Sequence, residues 1–420
     1  MFKFKEFLKY LKRFKRTISF IGILNAFKHF KSIKKIKPVD VLYLCHDNSR
    51  PILLNGIYYS PLIDSINNKL KDYSNITLAL PFSKYSGNRT YGNTINLNFY
   101  IIVSLLRRII INGSLSLKNT ENDPLIKFYS YLFEKLKLKI IFGIQPSIEM
   151  CIAAKINKIN IIDIQHGIID VNQTNSYYSL EKRFHFNDMG WPNYIFCRNR
   201  QSLSEVLKLN NYTKPILIGN LNKYFYENVY CNIEEIKLFK TKRKTILFTF
   251  QPFYESESFS SKNLHHKIIF PTVLLKLILS SNYNFILKLH PSQIQNKNLF
   301  KLHITALNNL FSEYSNVDFI INNNKPLEYS LVNSDLHITY NSASFFDAFD
   351  YGLKTILLDD NLLRLNRYFG ELMNSSYVIV DPSLEFDFSM YFNQKKEKDY
   401  KESSIDFNFK SFISENIIQC

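Results

Sequence analysis

An imidazole placed where a buried strand gives out is able to move a proton, and this sequence makes that placement twice. In IIDIQHGIID (161–170) an apolar run stops at Gln165-His166-Gly167. An exposed histidine there can take a proton from a hydroxyl, because its ordinary pKa is close to neutrality. Gly167 lets the backbone turn tightly beside a ligand. A loop histidine bonded to nearby backbone is the plainer alternative. Asp163 is a candidate buried partner, and Asp170 and Asp188 (in FNDMGW) are alternative bases. In FILKLHPSQ (285–293) His290 stands at a second tip, where Pro291 ends the ladder. Ser292 and Gln293 then open a helix whose free N–H groups can receive a phosphate, unless the histidine is incidental to a proline stop. In SDLHITYNSASFFDAFDYGL (334–353) Ser342 and Ser344 begin another helix. They either cap it or bind a phosphate.

Several chemistries are missing from the sequence. It contains neither a Gly-x-x-x-x-Gly-Lys phosphate loop nor a Gly-x-Gly-x-x-Gly fingerprint, and no Asp-x-Asp triplet. The histidines lack zinc-ligand spacing, since His265 and His266 are adjacent, so no metal site is expected. The five cysteines are scattered with no Cys-x-x-Cys pair, which fits a reducing cytoplasm.

These residues need rigid elements to hold them. Short apolar runs predict strands at 39–45, 76–81, 139–144, 159–164, 194–197 and 215–218. A second set lies at 245–250, 285–289, 317–321, 336–340, 355–358 and 377–380. Continuous apolar strands separated by helices imply parallel sheets covered on both faces. A chain of 420 residues exceeds one ordinary core. The expected fold is therefore α/β, two doubly wound Rossmann-like domains facing across a cleft. The expected boundaries are an arm at 1–38, domains at 39–221 and 245–380 joined by a linker at 222–244, and a tail at 381–420 with a helix near 404–417. Ligands of such sheets sit beyond the carboxyl ends of the strands, where Gln145, Gln165, Asn220, Gln251 and His290 collect.

Charge is concentrated in the arm. Of a net +17, residues 1–38 contribute twelve Lys and Arg against Glu6 alone. Phe4, Phe7, Leu8, Leu11, Phe14 and Ile18 recur at helical spacing, with Lys5, Lys9, Lys12 and Arg16 between them. A basic amphipathic helix of this kind can lie in an anionic membrane surface, each cation contributing about 1 kcal/mol. Packing on the protein is the alternative. The apolar stretch Ile18–Phe27 is far short of the roughly 20 residues that span a bilayer. It also lacks a signal-peptidase pattern. No nucleic-acid recognition motif accompanies the charge.

Taken in order, Gln165-His166-Gly167, Gly219-Asn220, Lys288-x-His290-Pro291 and Asn341-Ser342-x-Ser344, followed by a helix and Gly352, resemble a known pattern. It is similar to that of GT-B bacterial transferases that build capsule, lipopolysaccharide and teichoic acid, among them Kdo transferases, sialyltransferases and polyglycerol-phosphate polymerases. The resemblance implies that His290, Pro291, Ser292, Ser342 and Ser344 hold the donor phosphate, with Glu328 toward the ribose. It implies that His166 is the catalytic base, with Gln165, Gly167 and Asn220 on the acceptor side. Asp188-Met189-Gly190 matches the acidic motif of the sialyltransferases only loosely. The implied activity is an inverting, metal-independent glycosyltransfer in surface-polysaccharide synthesis, without a separate cofactor. The donor is a nucleotide sugar, CMP-linked favoured, and the acceptor a glycan or glycolipid. The enzyme would be cytoplasmic and peripheral at the inner membrane face. A polyol-phosphate transferase or nucleotide-sugar epimerase on the same fold, or a non-catalytic carbohydrate-binding scaffold, are the alternatives.

Overall fold

The computed structural model describes residues 33–46, 49–80, 89–114, 116–117, 120–167, 169, 183, 185–209, 212–231, 243–251, 272–280, 282–295, 297–321, 323, 325–340, 342–358, 377–380, 389–392 and 407–417. The amphipathic arm through residue 32, Asp170, Asn341 and the side chain of Ser292 lie outside the described residues. The chain divides into two compact units, Met1–Leu221 with Ile405–Cys420, and Asn222–Ser404.

The first unit is built on β1 (Val41–His46), β4 (Asn75–Leu80), β5 (Thr94–Asn96), β6 (Ile140–Gly143), β7 (Asn160–Ile164), β8 (Tyr194–Cys197) and β9 (Lys214–Leu217). They form one sheet in the order β5-β4-β1-β6-β7-β8-β9, parallel throughout. Successive side chains of a strand point to opposite faces. Leu42 and Leu44 of β1 therefore enter one core, and Val41, Tyr43 and Cys45 enter the other. A separate hairpin, β2 (Ile52–Leu54) with β3 (Ile57–Tyr59), turns at Asn55-Gly56, whose φ angles of 49° and 77° suit a type I′ turn.

Helices cover this sheet for local reasons that can be read residue by residue. In α3 (Pro124–Leu136; α1 is Pro61–Lys69 and α2 is Asn98–Asn112) the buried residues Leu125, Ile126, Tyr129, Leu132, Phe133 and Leu136 form one stripe. Pro124 opens the helix, and the Asp123 carboxylate caps it by accepting from Leu125 N and Ile126 N. Asp123 also pairs with Arg108 of α2 at 2.6 Å, and Arg108 reaches Glu149 at 2.9 Å. Glu149 lies in the first turn of α4 (Ile148–Ile156). This buried carboxylate–guanidinium–carboxylate group ties α2, α3 and α4 together. The unit is completed by α5 (Arg200–Leu209) and by a helix from the far end of the chain, Phe409–Ile417. Phe409, Phe412 and Ile413 of that last helix join the core around Phe142 and Phe196.

The second unit begins within a short helical stretch, α6 (Leu221–Phe225) continuing into Tyr226–Tyr230, so residues 222–230 of the expected linker are helical. Its sheet comprises β10 (Thr245–Thr249), β11 (Asn284–Lys288), β12 (Val317–Asp318), β13 (Leu336–Thr339), β14 (Thr355–Leu358) and β15 (Tyr377–Val380). The order β12-β11-β10-β13-β14-β15 is parallel throughout. Numbered within the unit, that is 3-2-1-4-5-6, the doubly wound dinucleotide-binding order. Covering helices are α7 (Thr272–Leu279), α8 (Pro291–Gln295), α9 (Lys297–Phe311), α10 (Leu327–Val332) and α11 (Ser344–Asp350). No helix among the described residues is long and apolar enough to cross a membrane.

The Arg108 group yields a stability prediction. Asp123→Ala removes a helix cap and leaves a buried guanidinium short of one partner. The loss should be about 3 kcal/mol, read as a lowered urea midpoint with unchanged slope. A midpoint within error of wild type would show that the group does not hold the helices.

Candidate functional site

In a doubly wound sheet the crevice opens where the strand order reverses. In the second unit that point lies between β10 and β13, and the polar residues gather at their carboxyl ends. Thr249 Oγ1 is 3.0 Å from Ser344 Oγ and 3.0 Å from His337 Nε2. Ser344 Oγ donates to Ser342 Oγ at 2.9 Å, and Ser344 N donates to the same oxygen at 3.2 Å. Behind them Thr249 Oγ1 donates to Thr339 Oγ1 at 2.8 Å, and Thr355 Oγ1 lies 3.1 Å from His337 Nδ1. His337 is wholly buried, and desolvation pushes its pKa down to about 3, so the ring is neutral.

Ser342 takes the helix-capping role open to it in the sequence as well as joining the cluster, its Oγ accepting from Ser344 N at the start of α11, whereas Ser344 caps nothing. Ala343 occupies the cap position of α11 without a side-chain bond. The helices are also short, α11 running over seven residues and α8 over five, so discrete hydroxyl donors outweigh any macrodipole.

His290 lies on the same edge, just beyond β11, which is the other neighbour of β10. Its backbone N donates to Gln293 Oε1 at 2.8 Å, and Gln293 N donates back to His290 O at 2.9 Å. This reciprocal pair, together with Pro291, fixes the exit of the chain. The ring is half-buried, and desolvation lowers its pKa to about 4. Two residues earlier Lys288 is buried, its ammonium donating to Lys325 O at 2.8 Å. Burial pulls its pKa down to about 8, opposed by the charges of Glu328 and Asp318. Glu328, expected to face a ribose, is itself buried in the first turn of α10 and interacts with this lysine.

In the first unit Gln165, His166 and Gly167 follow β7 directly. Gln165 is a structural tie: its amide donates to Gly167 O and Ser202 Oγ, each at 2.7 Å, and its carbonyl accepts from Arg198 N at 2.9 Å. The tie holds the loop so that His166 is exposed at the strand tip, and partial desolvation lowers the pKa of its ring. Asp163 is buried, and its carboxylate accepts from Gln145 N at the neighbouring tip, at 2.9 Å. Asn220 is buried three residues beyond the edge strand β9, next to Gly219 at φ 77°.

Asp188 is positioned by other forces. It sits in a one-turn helix, Asn187–Gly190, with its carboxylate 3.7 Å from Lys155 in the last turn of α4. His166 shares a sheet edge with the opposite end of α4. Gly190 is required by packing, since a Cβ there would lie 3.0 Å from Arg183 O and from Phe186 Cβ. Arg183 clamps this segment by donating to Gly190 O at 2.7 Å and to Pro146 O at 2.6 Å. Glu149, in the first turn of α4, is committed to Arg108. Among the described residues no group of three or more His, Cys, Asp or Glu is arranged to hold a metal ion.

Sequence reasoning passed over His337, Thr249, Thr339 and Thr355. Their only signal is polar residues at alternate positions inside otherwise apolar strand runs, as in LHIT and ILFT.

No protein-family model matches the chain, and no curated protein matches it in sequence. Solved structures do share its architecture. UDP-GlcNAc 2-epimerase of Methanocaldococcus jannaschii, solved with UDP-GlcNAc and UDP, has a TM-score of 0.52 at 12% identity over 85% of this chain and 94% of that one. The wall teichoic acid polymerase TagF gives 0.47 at 13% identity, over 90% of this chain and 85% of its own. With the strand order of both sheets, the first likeness shows a two-domain Rossmann-like fold of the GT-B type.

Lys288 provides a test of the electrostatics at this edge. Its folded pKa of about 8 lies below the ordinary 10.5, so the unfolded chain binds the proton more tightly. The buried charge therefore costs stability below pH 8, and the cost fades as pH rises from about 8 toward 10.5. Lys288→Met should melt higher than wild type at pH 7 and lose the wild-type rise in stability across that window. Parallel wild-type and variant melting curves from pH 7 to 10.5 would refute this account.

Proposed function

We propose that the chain is a glycosyltransferase of bacterial surface-polysaccharide synthesis, taking a sugar from a nucleotide-activated donor to a glycan or glycolipid acceptor. The observation that carries this reading is the hydroxyl cluster of Ser342 and Ser344 at the strand-order reversal of the second unit, on one edge with His290. Such a site suits the phosphate of a departing nucleotide. The structural neighbour solved with UDP-GlcNAc and UDP supports a nucleotide-sugar ligand. The resemblance in motif order favours a CMP-linked one.

In the proposed reaction an acceptor hydroxyl gives its proton to His166, which desolvation keeps neutral at pH 7. The acceptor oxygen bonds to the anomeric carbon from the face opposite the leaving group, so configuration inverts. The bond from that carbon to the phosphate oxygen breaks, and its electron pair leaves with the nucleotide. Ser342 and His290 meet the charge that develops on the phosphate with donors already in place, and Ser344 holds Ser342 by donating to its hydroxyl. Hydroxyls and imidazoles do this work without a resident metal. The basic arm, with its surplus of eleven positive charges over residues 1–38, would hold the enzyme at the anionic inner face of the cytoplasmic membrane.

Two measurements test the reading. A thermal-shift screen against CMP, CDP, UDP and GDP should raise the melting temperature with one of them. Product analysis with donors carrying that nucleotide then separates sugar transfer from polyol-phosphate transfer or epimerisation. His166→Ala should lower kcat by about 10²–10⁴ while leaving nucleotide affinity intact. His290→Ala should weaken nucleotide binding. Failure of every nucleotide to bind, or wild-type turnover by His166→Ala, would overturn the assignment.

A further inference from the structure

The hydroxyl cluster has a direction, and a buried histidine sets it. We infer that His337 is a positioning residue whose imidazole orders the hydroxyl protons behind the site, so that Ser342 presents its own proton to an anionic ligand. The inference rests on reading this site as a phosphate site and adds to it the group that polarises it.

Protons are scarce in this cluster. Each hydroxyl has one, and a neutral imidazole carries one N–H. Thr339 Oγ1 donates to Thr249 O at 3.1 Å, so towards Thr249 Oγ1 it is an acceptor, and the Thr249 proton is committed to it. The Ser344 proton is committed to Ser342 Oγ. Thr249 Oγ1 and Ser344 Oγ nevertheless stand 3.0 Å apart, a close approach with no hydroxyl proton left to bridge it. His337 Nε2 is 3.0 Å from the first oxygen and 3.5 Å from the second. A proton on Nε2 supplies the shared donor. Nδ1 is then the acceptor, and Thr355 Oγ1, 3.1 Å away, donates to it.

With those commitments made, one proton in the group is left over. Ser342 Oγ accepts from both Ser344 N and Ser344 Oγ, so its lone pairs are occupied, and among the described residues its own hydrogen is unassigned. Ser342 lies at the tip of β13 with 8% of its surface exposed. The hydroxyl is thereby set to give a proton and unable to receive one, which selects an anion over a cation or a sugar hydroxyl donor. Without the imidazole, the Ser344 proton turns to Thr249 and the Ser342 proton turns inward to Ser344. The ligand then loses its donor although no residue that touches it has changed.

The experiment uses the full chain and titration calorimetry with CMP and cytidine, and with UDP and uridine. Comparing nucleotide with nucleoside isolates the contribution of the phosphate. His337→Leu should weaken nucleotide binding about tenfold, the worth of a hydrogen bond to a charged group, and leave nucleoside binding unchanged. Ser342→Ala should show the same loss, and the double variant no more than either alone, because both remove one donor. His337→Gln, with an amide N–H for Thr249 and a carbonyl for Thr355, should restore binding. Should His337→Leu fail to fold, Thr355→Val carries the test, since it releases the tautomer and should also weaken nucleotide but not nucleoside binding. Additive losses, or equal loss of nucleotide and nucleoside, would overturn the inference. Wild-type protein that binds neither CMP nor UDP rejects the phosphate site itself. Wild-type affinity in a folded His337→Leu rejects only the role given to the histidine.

Discussion

Parallel strands can be joined only by crossing over a face of the sheet, and that constraint underlies everything else in this protein. Each crossover consumes a helix, so both faces are covered and the strands have no wet side. Water and ligands meet the sheet only at its ends. Both sheets start in the middle and grow outward in two directions, with β1 and β10 as the starting strands. At the reversal the crossovers leave on opposite faces, and the chain cannot fill the gap between them. The hydroxyls that matter in the second unit, on Ser342, Ser344 and Thr249, flank that gap.

Placing an imidazole and three threonine hydroxyls within such a sheet would be costly if any were left unpaired. Strand geometry prevents it. Thr249 faces Thr339 in register across β10 and β13, and His337 faces Thr355 across β13 and β14. The alternation of a strand puts Thr249, His337, Thr339 and Thr355 on one face, while Ile246, Phe248, Ile338 and Ile356 pack into the core on the other. A slip of one residue in β13 would drive its two polar groups into that apolar core. The polar seam therefore specifies register at the same time as it arranges donors.

Much of this was legible in the sequence, for a definite reason. Strands buried on both faces are predominantly apolar, and VLYLC, IIFG, TILFT and TILL announce themselves. The tips follow from where each run stops, which is how His166 and His290 were found. Strand β5 was not legible, because three residues at a sheet edge, Thr94–Asn96, carry too short a pattern. The β2–β3 hairpin did leave a signal in Asn55-Gly56. Roles that depend on a distant partner were out of reach. Glu149 resembles a site carboxylate until Arg108 is seen beside it, and Gly190 resembles a motif glycine until the Arg183 backbone is seen against it. His337 was hidden for the opposite reason: inside an apolar strand it reads as an exception rather than as the centre of a network.

The helix Phe409–Ile417 adds a temporal dimension. Its aromatic side chains pack against Phe196, yet the whole second unit lies between Phe196 and that helix in the chain. During synthesis the ribosome must deliver the second unit in full before the first can bury Phe196. The domain begun earlier is finished later, so the nascent first unit holds an open aromatic face while its neighbour folds, and the order of assembly runs against the order of translation.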